Sequence, residues 1–122
     1  KKSEHASIVL FSTVAVQTGL PFHTLVSASK GAIEGLTKAL AAEYAPKIRV
    51  NCIAPSITDT PLANPFLNTE QKRDASAQRH PLKRIGKPDD IASLATFLLS
   101  EKAGWITGQV IHVDGGFSSL RV

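Results

Sequence analysis

Four side chains with hydroxyl or ammonium groups stand beside the apolar segments of this sequence. Thr13 follows a first apolar run, Thr58 and Thr60 follow a second, and Lys30 lies between the two runs. Such groups hold and polarise ligand oxygens, and open α/β sheets bind ligands in the loops that follow their strands. The loop that holds Thr58 and Thr60 therefore predicts a ligand site at one edge of a sheet.

Each of these residues also has an interpretation that needs no ligand. Lys30 can be a solvated helix lysine paired with Glu34, four residues further on. Thr58 and Thr60 can be turn-forming residues of a polar loop. The four histidines are isolated and have no clustered cysteine or carboxylate partner, so we predict no metal site.

Strands and helices alternate along the chain. Continuous apolar runs predict strands over 7–12, 48–54 and 109–113, and recurrence at three- and four-residue steps predicts a helix over 27–44. A second helix is predicted to begin at Pro88, since proline suits the first turn and the two aspartates after it suit the positive helix end. A short polar helix is predicted over 68–78, with loops over 13–25, 55–65 and 81–86.

This order predicts parallel strands in an open α/β sheet. Three strands that are buried on both faces need neighbours, so the chain looks like one half of a doubly wound fold. The chain contains no methionine and begins at Lys1, which predicts a processed or partial protein.

Composition narrows the classes of partner. The 122 residues are 43% hydrophobic and 20% charged, as in globular proteins, and no apolar run has membrane-spanning length. The net charge of +4 is mild, and the densest cations, from Lys72 to Arg84, have no interleaved aromatic residues, so we predict neither a nucleic-acid nor a membrane partner. Cys52, the single cysteine, lies in an apolar stretch and predicts a buried thiol in a reducing cytoplasm.

Four segments resemble motifs of the short-chain dehydrogenase/reductase family, in the family's order and at natural spacings, over nearly the whole chain. They are Val26-Ser27-Ala28-Ser29-Lys30-Gly31-Ala32, Arg49-Val50-Asn51-Cys52-Ile53-Ala54-Pro55-Ser56, Gly86-Lys87-Pro88-Asp89-Asp90-Ile91-Ala92, and Thr107-Gly108-Gln109 through Val113-Asp114-Gly115-Gly116.

The resemblance implies the C-terminal half of a doubly wound Rossmann-like parallel sheet, with residues 1–122 as the C-terminal part of one NAD(P)-binding domain. It implies hydride transfer between NAD or NADP and a small carbonyl or alcohol substrate. It also implies homo-oligomers through the helix 27–44, and a substrate loop over 62–80. The family's glycine-rich pyrophosphate turn does not occur in these residues.

The resemblance also assigns roles to single residues. Thr13 occupies the position of a serine that holds the carbonyl oxygen, and Lys30 is the lysine that contacts the nicotinamide ribose. In the family this lysine also lowers the pKa of a tyrosine four residues earlier, which moves the proton. Backbone groups at Thr58 clamp the nicotinamide carboxamide, and the Thr60 hydroxyl contacts the cofactor.

Besides the threonine at position 13, the chain departs from the family at two positions. The tyrosine position holds Val26, which has no proton to give, and the only tyrosine, Tyr44, lies at the far end of the predicted helix. Ser56 stands where the family has a glycine. We therefore expect an oxidoreductase that is impaired in proton transfer, with rescue by His23 as one possibility. The alternatives are a non-catalytic relative that acts as a partner subunit, or a fragment with no role of its own.

Overall fold

The computed structural model describes residues 5–122, which form a three-stranded parallel sheet and four helices. In chain order the elements are β1 (Ala6–Phe11), α1 (Thr24–Tyr44), β2 (Ile48–Pro55), α2 (Asn64–Leu67), α3 (Glu70–Gln78), α4 (Pro88–Leu99) and β3 (Val110–Val113). Short 3-10 turns occur at Val14–Val16, Pro61–Ala63 and Glu101–Ala103. Among these residues, no helix is both long enough and apolar enough to cross a membrane.

The sheet has the order β1-β2-β3, and both pairings are parallel. Cys52 of β2 stands between Leu10 of β1 and Val110 of β3. Successive residues of a strand face opposite sides of a sheet, and α1 and α4 cover opposite sides of β2 because Cys52 meets Thr37 of α1 while Ile53 packs with Leu98 of α4. The predicted α/β fold with a parallel sheet is therefore confirmed.

Burial differs between the strands. The centre of β2 is fully buried, as expected, whereas Ile8 and Phe11 of β1 are 38% and 45% exposed. The expectation that β1 is buried on both faces is therefore wrong. The reason is that α1 lies mainly over β2, which leaves the edge strand partly uncovered.

Helix α1 begins at Thr24, three residues before the predicted start, so Val26 lies within its first turn. The helix buries Thr37 and Ala41 against the sheet. Ala28, Ala32 and Gly35 are exposed, so these three small residues of α1 do not pack on the described sheet. A continuous surface of small side chains on α1 therefore faces outward.

The remaining predictions for helices are confirmed, with one exception. Helix α4 begins at Pro88 and packs Ile91, Leu94, Ala95 and Leu98 into the core around Ile53. Helix α3 lies within the predicted polar helix, and Thr69 caps it by accepting a hydrogen bond from the Lys72 N–H. The exception concerns two predicted loops. The last residues of 55–65 already form the turn Pro61–Ala63 and the start of α2, and 13–25 contains the turn Val14–Val16 and the start of α1.

Two polar side chains of β2 hold the segment that leads into β3. Asn51, fully buried, donates to the Ile106 carbonyl at 3.0 Å and accepts from the Gln109 N–H at 3.1 Å. The Arg49 guanidinium donates to the carbonyls of Ala103 at 2.8 Å and Ser100 at 3.0 Å. These bonds satisfy backbone groups that would otherwise lose hydrogen bonds on burial.

Candidate functional site

An open cleft of about 1350 Å³ lies beyond the carboxyl ends of β1 and β2. Such an edge is where open α/β sheets bind ligands. Helices α2, α3 and α4 contribute the outer walls of the cleft. Its lining is mostly apolar and includes Phe11, Leu20, Leu62, Phe66, Leu99 and Phe117.

Thr13 lines this cleft directly after β1. Its hydroxyl oxygen accepts a hydrogen bond from the Ala15 N–H at 3.3 Å and so caps the short turn Val14–Val16. Accepting that bond leaves the hydroxyl proton available as a donor. Thr13 can therefore hold a ligand oxygen while its own position is set by the backbone.

Val26 lines the same cleft from the first turn of α1 and is 39% exposed. An isopropyl group can neither give nor take a proton. Tyr44 ends the same helix, 18 residues later, which places it about 27 Å away along the axis at 1.5 Å per residue. The hydroxyl of Tyr44 therefore does not serve this cleft.

Lys30 is not part of the cleft lining. Its ammonium group donates to the carbonyl oxygen of Phe11 at 3.3 Å. The carboxylate of Glu34 accepts from the Ser12 hydroxyl at 2.5 Å, and the two ion pairs within the described residues involve neither Lys30 nor Glu34. The interpretation of Lys30 as a partner of Glu34 is therefore wrong, and the lysine is anchored to the end of β1.

Thr58 and Thr60 line the cleft on the loop after β2. The Thr58 hydroxyl donates to the Ser56 carbonyl at 3.0 Å, which is a local turn contact. The Thr58 N–H has no acceptor within residues 5–122. Thr58 is bridged to Gly86 by two bonds of its neighbours, since the Gly86 N–H donates to the Ile57 carbonyl and the Asp59 N–H donates to the Gly86 carbonyl. The side chain of Thr60 makes no capping bond to the turn that follows it.

The structure brings together residues that the sequence analysis did not connect. Ser56 and His80 line the cleft, and the Ser56 hydroxyl oxygen lies 2.7 Å from Nε2 of His80. Ser56 is not among the residues with positive φ, so a side chain here causes no backbone strain. They are 24 residues apart, and no local pattern signals that they meet.

His23 also lines the cleft, close in sequence to Val26. Its Nδ1 contacts the Pro21 carbonyl oxygen at 2.7 Å. A carbonyl oxygen only accepts, so Nδ1 is the donor in this hydrogen bond and its N–H is held by the loop. The contact indicates a structural role for one of its two ring nitrogens.

Cations around the cleft are partly neutralised. Arg73 pairs with Asp59 at 2.6 Å, and the Arg73 guanidinium that donates to it holds the pKa of Asp59 below its usual value. Arg79 lies over the ring of Phe117, 5.5 Å from its centroid.

Within residues 5–122 no group of three or more histidine, cysteine or carboxylate side chains could hold a metal ion.

The family model described as Enoyl-(Acyl carrier protein) reductase matches residues 1–118 of the chain. A tropinone reductase homolog from Datura stramonium is 43% identical over 97% of this chain and 46% of its own length. The 3-oxoacyl-(acyl-carrier-protein) reductase FabG of Thermotoga maritima is 40% identical over 94% of this chain and 46% of its own length.

Solved structures agree with the fold. The aldohexose dehydrogenase of Thermoplasma acidophilum superposes with a TM-score of 0.91 at 38% identity, over 98% of this chain and 50% of that one. A gluconate 5-dehydrogenase from Burkholderia cenocepacia, solved with NADP and tartrate, gives a TM-score of 0.89 at 30% identity, over 97% of this chain and 47% of that one. The chain spans about half the length of the relatives it matches.

Proposed function

Because the chain belongs to the short-chain dehydrogenase/reductase family, we propose that the protein is an NAD(P)-dependent oxidoreductase. Its reaction interconverts a small carbonyl compound and a secondary alcohol. Residues 1–122 are the C-terminal part of its single domain and form the substrate side of the site. The relatives named above as reductases and dehydrogenases support this class of reaction.

The observation that carries the proposal is the convergence of separate segments on one cleft. Thr13 comes from the end of β1, Val26 from α1, and Thr58 and Thr60 from the loop after β2, and all four line the same space. They occupy the positions to which the family resemblance assigns substrate or cofactor contacts.

The residues of the cleft fit the nicotinamide end of a dinucleotide. The Thr58 N–H has no acceptor within the described part of the chain and is suited to a carboxamide oxygen, and Thr60 offers a hydroxyl that makes no capping bond. Lys30, whose ammonium group contacts the cleft-lining residue Phe11, would donate to ribose hydroxyls in exchange for the Phe11 carbonyl. When bound, the cofactor supplies or takes up the hydride.

The residues of this chain contribute unequally to the rest of the reaction. The Thr13 hydroxyl donates its proton to the substrate oxygen and so holds and polarises it, while its own oxygen accepts from the Ala15 N–H. Val26 delivers no proton to that oxygen. Loss of a positioned general acid costs about 10² to 10⁴ in rate, so we propose a slow enzyme whose substrate oxygen takes its proton from another source.

A second candidate function is that of a non-catalytic partner subunit, and Val26 is the observation that favours it. The outward surface of α1 formed by Ala28, Ala32 and Gly35 allows close approach of a second helix. We propose that copies of the protein associate through this surface.

We also propose a cytoplasmic location, since the free thiol of Cys52 suits a reducing compartment.

The test compares the native protein with its Val26→Tyr variant, using NADPH or NADH consumption with a panel of small ketones. Val26→Phe is the matched control because it adds the ring without the hydroxyl. Measurable turnover with Val26 in place, raised about 10²-fold or more by tyrosine alone, supports the enzyme. Turnover that is absent before the change and large after it favours the partner subunit. Absence of turnover and of dinucleotide binding in all three proteins rejects the proposed reaction.

A further inference from the structure

Ser56 and His80 form a hydrogen-bonded pair that the proposed hydride transfer does not use. The Ser56 hydroxyl oxygen lies 2.7 Å from His80 Nε2, and His80 Nδ1 lies 2.7 Å from the Ser76 carbonyl oxygen. The histidine is 4% exposed, whereas the serine is half-buried and lines the cleft. A hydroxyl thus stands between a buried imidazole and an open space.

The hydrogen bonds determine which ring nitrogen carries the proton in the neutral imidazole. The Ser76 carbonyl can only accept, so Nδ1 must be the protonated nitrogen. Nε2 is then the bare nitrogen and accepts the hydroxyl proton of Ser56. This is the arrangement of a serine beside a general base whose orientation is held by a third group, here a backbone carbonyl.

The surroundings keep the pair in place and leave room for a ligand. The His80 ring packs against Phe117 with their centroids 5.2 Å apart. Ser56 and His80 also line a second, smaller cavity of about 160 Å³, so the pair forms part of the wall between it and the cleft. The Ile57 N–H, directly after the serine, has no acceptor within residues 5–122.

We propose that Ser56 is a nucleophile activated by His80 and that it is acylated by carboxylic esters with a short apolar acyl group. The mainly apolar lining of the cleft receives the acyl chain, with Leu62 and Phe66 on its outer wall. An amide N–H directly after a nucleophile is suited to hold the developing oxyanion, and Ile57 supplies that group. This activity is independent of hydride transfer and needs no dinucleotide.

The reaction balances with the ester and water alone. The Ser56 oxygen forms a bond to the acyl carbon while its proton passes to His80 Nε2. The bond from the acyl carbon to the alcohol oxygen then breaks, and the departing alkoxide takes the proton from Nε2. Water then gives a proton to Nε2 as its oxygen bonds to the acyl carbon. The bond from that carbon to the Ser56 oxygen breaks, the Ser56 oxygen takes the proton back from Nε2, and the carboxylic acid leaves.

The experiment uses the native protein that contains this chain and 4-nitrophenyl butyrate as the probe. Release of nitrophenolate is followed by absorbance, and the quenched protein is mapped by peptide mass spectrometry for a butyryl group. We expect the butyryl group on the peptide that contains Ser56. We expect Ser56→Ala and His80→Gln to lower the rate of release about 10²-fold, as for loss of a positioned base.

The matched control is Ser93→Ala, since Ser93 is an exposed serine of α4 that does not line the cleft. Its release rate should equal that of the unchanged protein. Release that persists in Ser56→Ala, or butyryl groups only on other side chains of the unchanged protein, overturns the proposal. The mapping of the unchanged protein decides the question even where a variant does not fold.

Discussion

Lys30 lies one helical turn beyond Val26 on α1, and its ammonium group donates to the Phe11 carbonyl oxygen at 3.3 Å. Residues four apart lie on one side of a helix, so Lys30 stands beside Val26, the position to which the sequence resemblance assigns the family's tyrosine. The lysine is therefore in place to influence a proton donor at position 26, while the side chain at that position has no proton.

The first prediction concerns the interdependence of these two positions. In the Val26→Tyr variant the gain in carbonyl reduction should depend on Lys30, because a nearby ammonium favours the ionised tyrosine. Adding Lys30→Met should remove most of a gain of about 10²-fold or more. Steady-state reduction rates of the single and double variants measure the coupling.

The control for this cycle is Lys38→Met, an exposed lysine of the same helix two turns further on. It should leave the gain unchanged. Equal gains with and without Lys30 would show that the added hydroxyl acts without the lysine.

The second prediction concerns the outward surface of α1. Ala32 is exposed in the middle of this surface, and a charged side chain there should block the close approach of a second helix. Ala32→Glu is expected to convert an oligomer of the native protein to smaller species in sedimentation velocity. Ser93→Glu on α4 is the control, and unchanged sedimentation of Ala32→Glu would reject α1 as the contact surface.

The third prediction concerns Asp90, in the first turn of α4. It accepts from Arg84 at 2.7 Å and from the Lys87 N–H at 2.7 Å. The Arg84 guanidinium, and then the Lys87 N–H, lower the pKa of Asp90 from 3.8 to about 2. A carboxyl whose pKa is lowered by folding stabilises the folded state at any pH above its pKa in the unfolded state. This contribution should therefore disappear as the pH falls from about 4 to about 2.

Thermal unfolding at a series of pH values measures this contribution. Asp90→Asn should lower the melting temperature near neutral pH and flatten its fall below pH ~4. Asp89→Asn changes the neighbouring aspartate, which takes part in neither of the two ion pairs found within residues 5–122, and should have a smaller effect. If the melting temperature of Asp90→Asn falls with pH in parallel with that of the unchanged protein, the prediction is contradicted.

The fourth prediction concerns the thiol of Cys52. Its side chain is fully buried in β2, and burial raises its pKa above the usual 9.0, with Glu34 adding to the rise and a hydrogen bond with Thr37 opposing it. A thiol whose pKa is raised by folding contributes to the stability of the folded state at pH below its pKa in the unfolded state. That contribution is lost as the pH rises above about 9. Folded protein should therefore react slowly with a disulfide reagent.

Reaction with Ellman's reagent, measured with and without denaturant, tests this prediction. The thiol should react at once in the unfolded chain and only at the rate of local opening in the folded one. Fast reaction under native conditions would place the thiol in contact with solvent.

The fold class and most of its elements could be read from local patterns. Continuous apolar runs marked β1, β2 and β3, and the stripe of Ile91, Leu94 and Leu98 marked the buried side of α4. These signals are local because a strand or helix must expose a regular set of side chains to one core. The four motifs taken together likewise indicated the family before any contact was known.

Tertiary structure decided the details of the site. The apolar periodicity of α1 suggested a helix but not which side faces the sheet, because its alanines and glycines lose little by remaining in solvent. The ammonium of Lys30 donates to the Phe11 carbonyl, whereas the Glu34 carboxylate accepts from the Ser12 hydroxyl. Ser56 met His80 only because the segment that follows α3 returns to the residue directly after β2. The sequence by itself determined which residues could do chemistry, and contacts between distant segments determined which of them share a cleft, since such contacts depend on the packing of the whole chain.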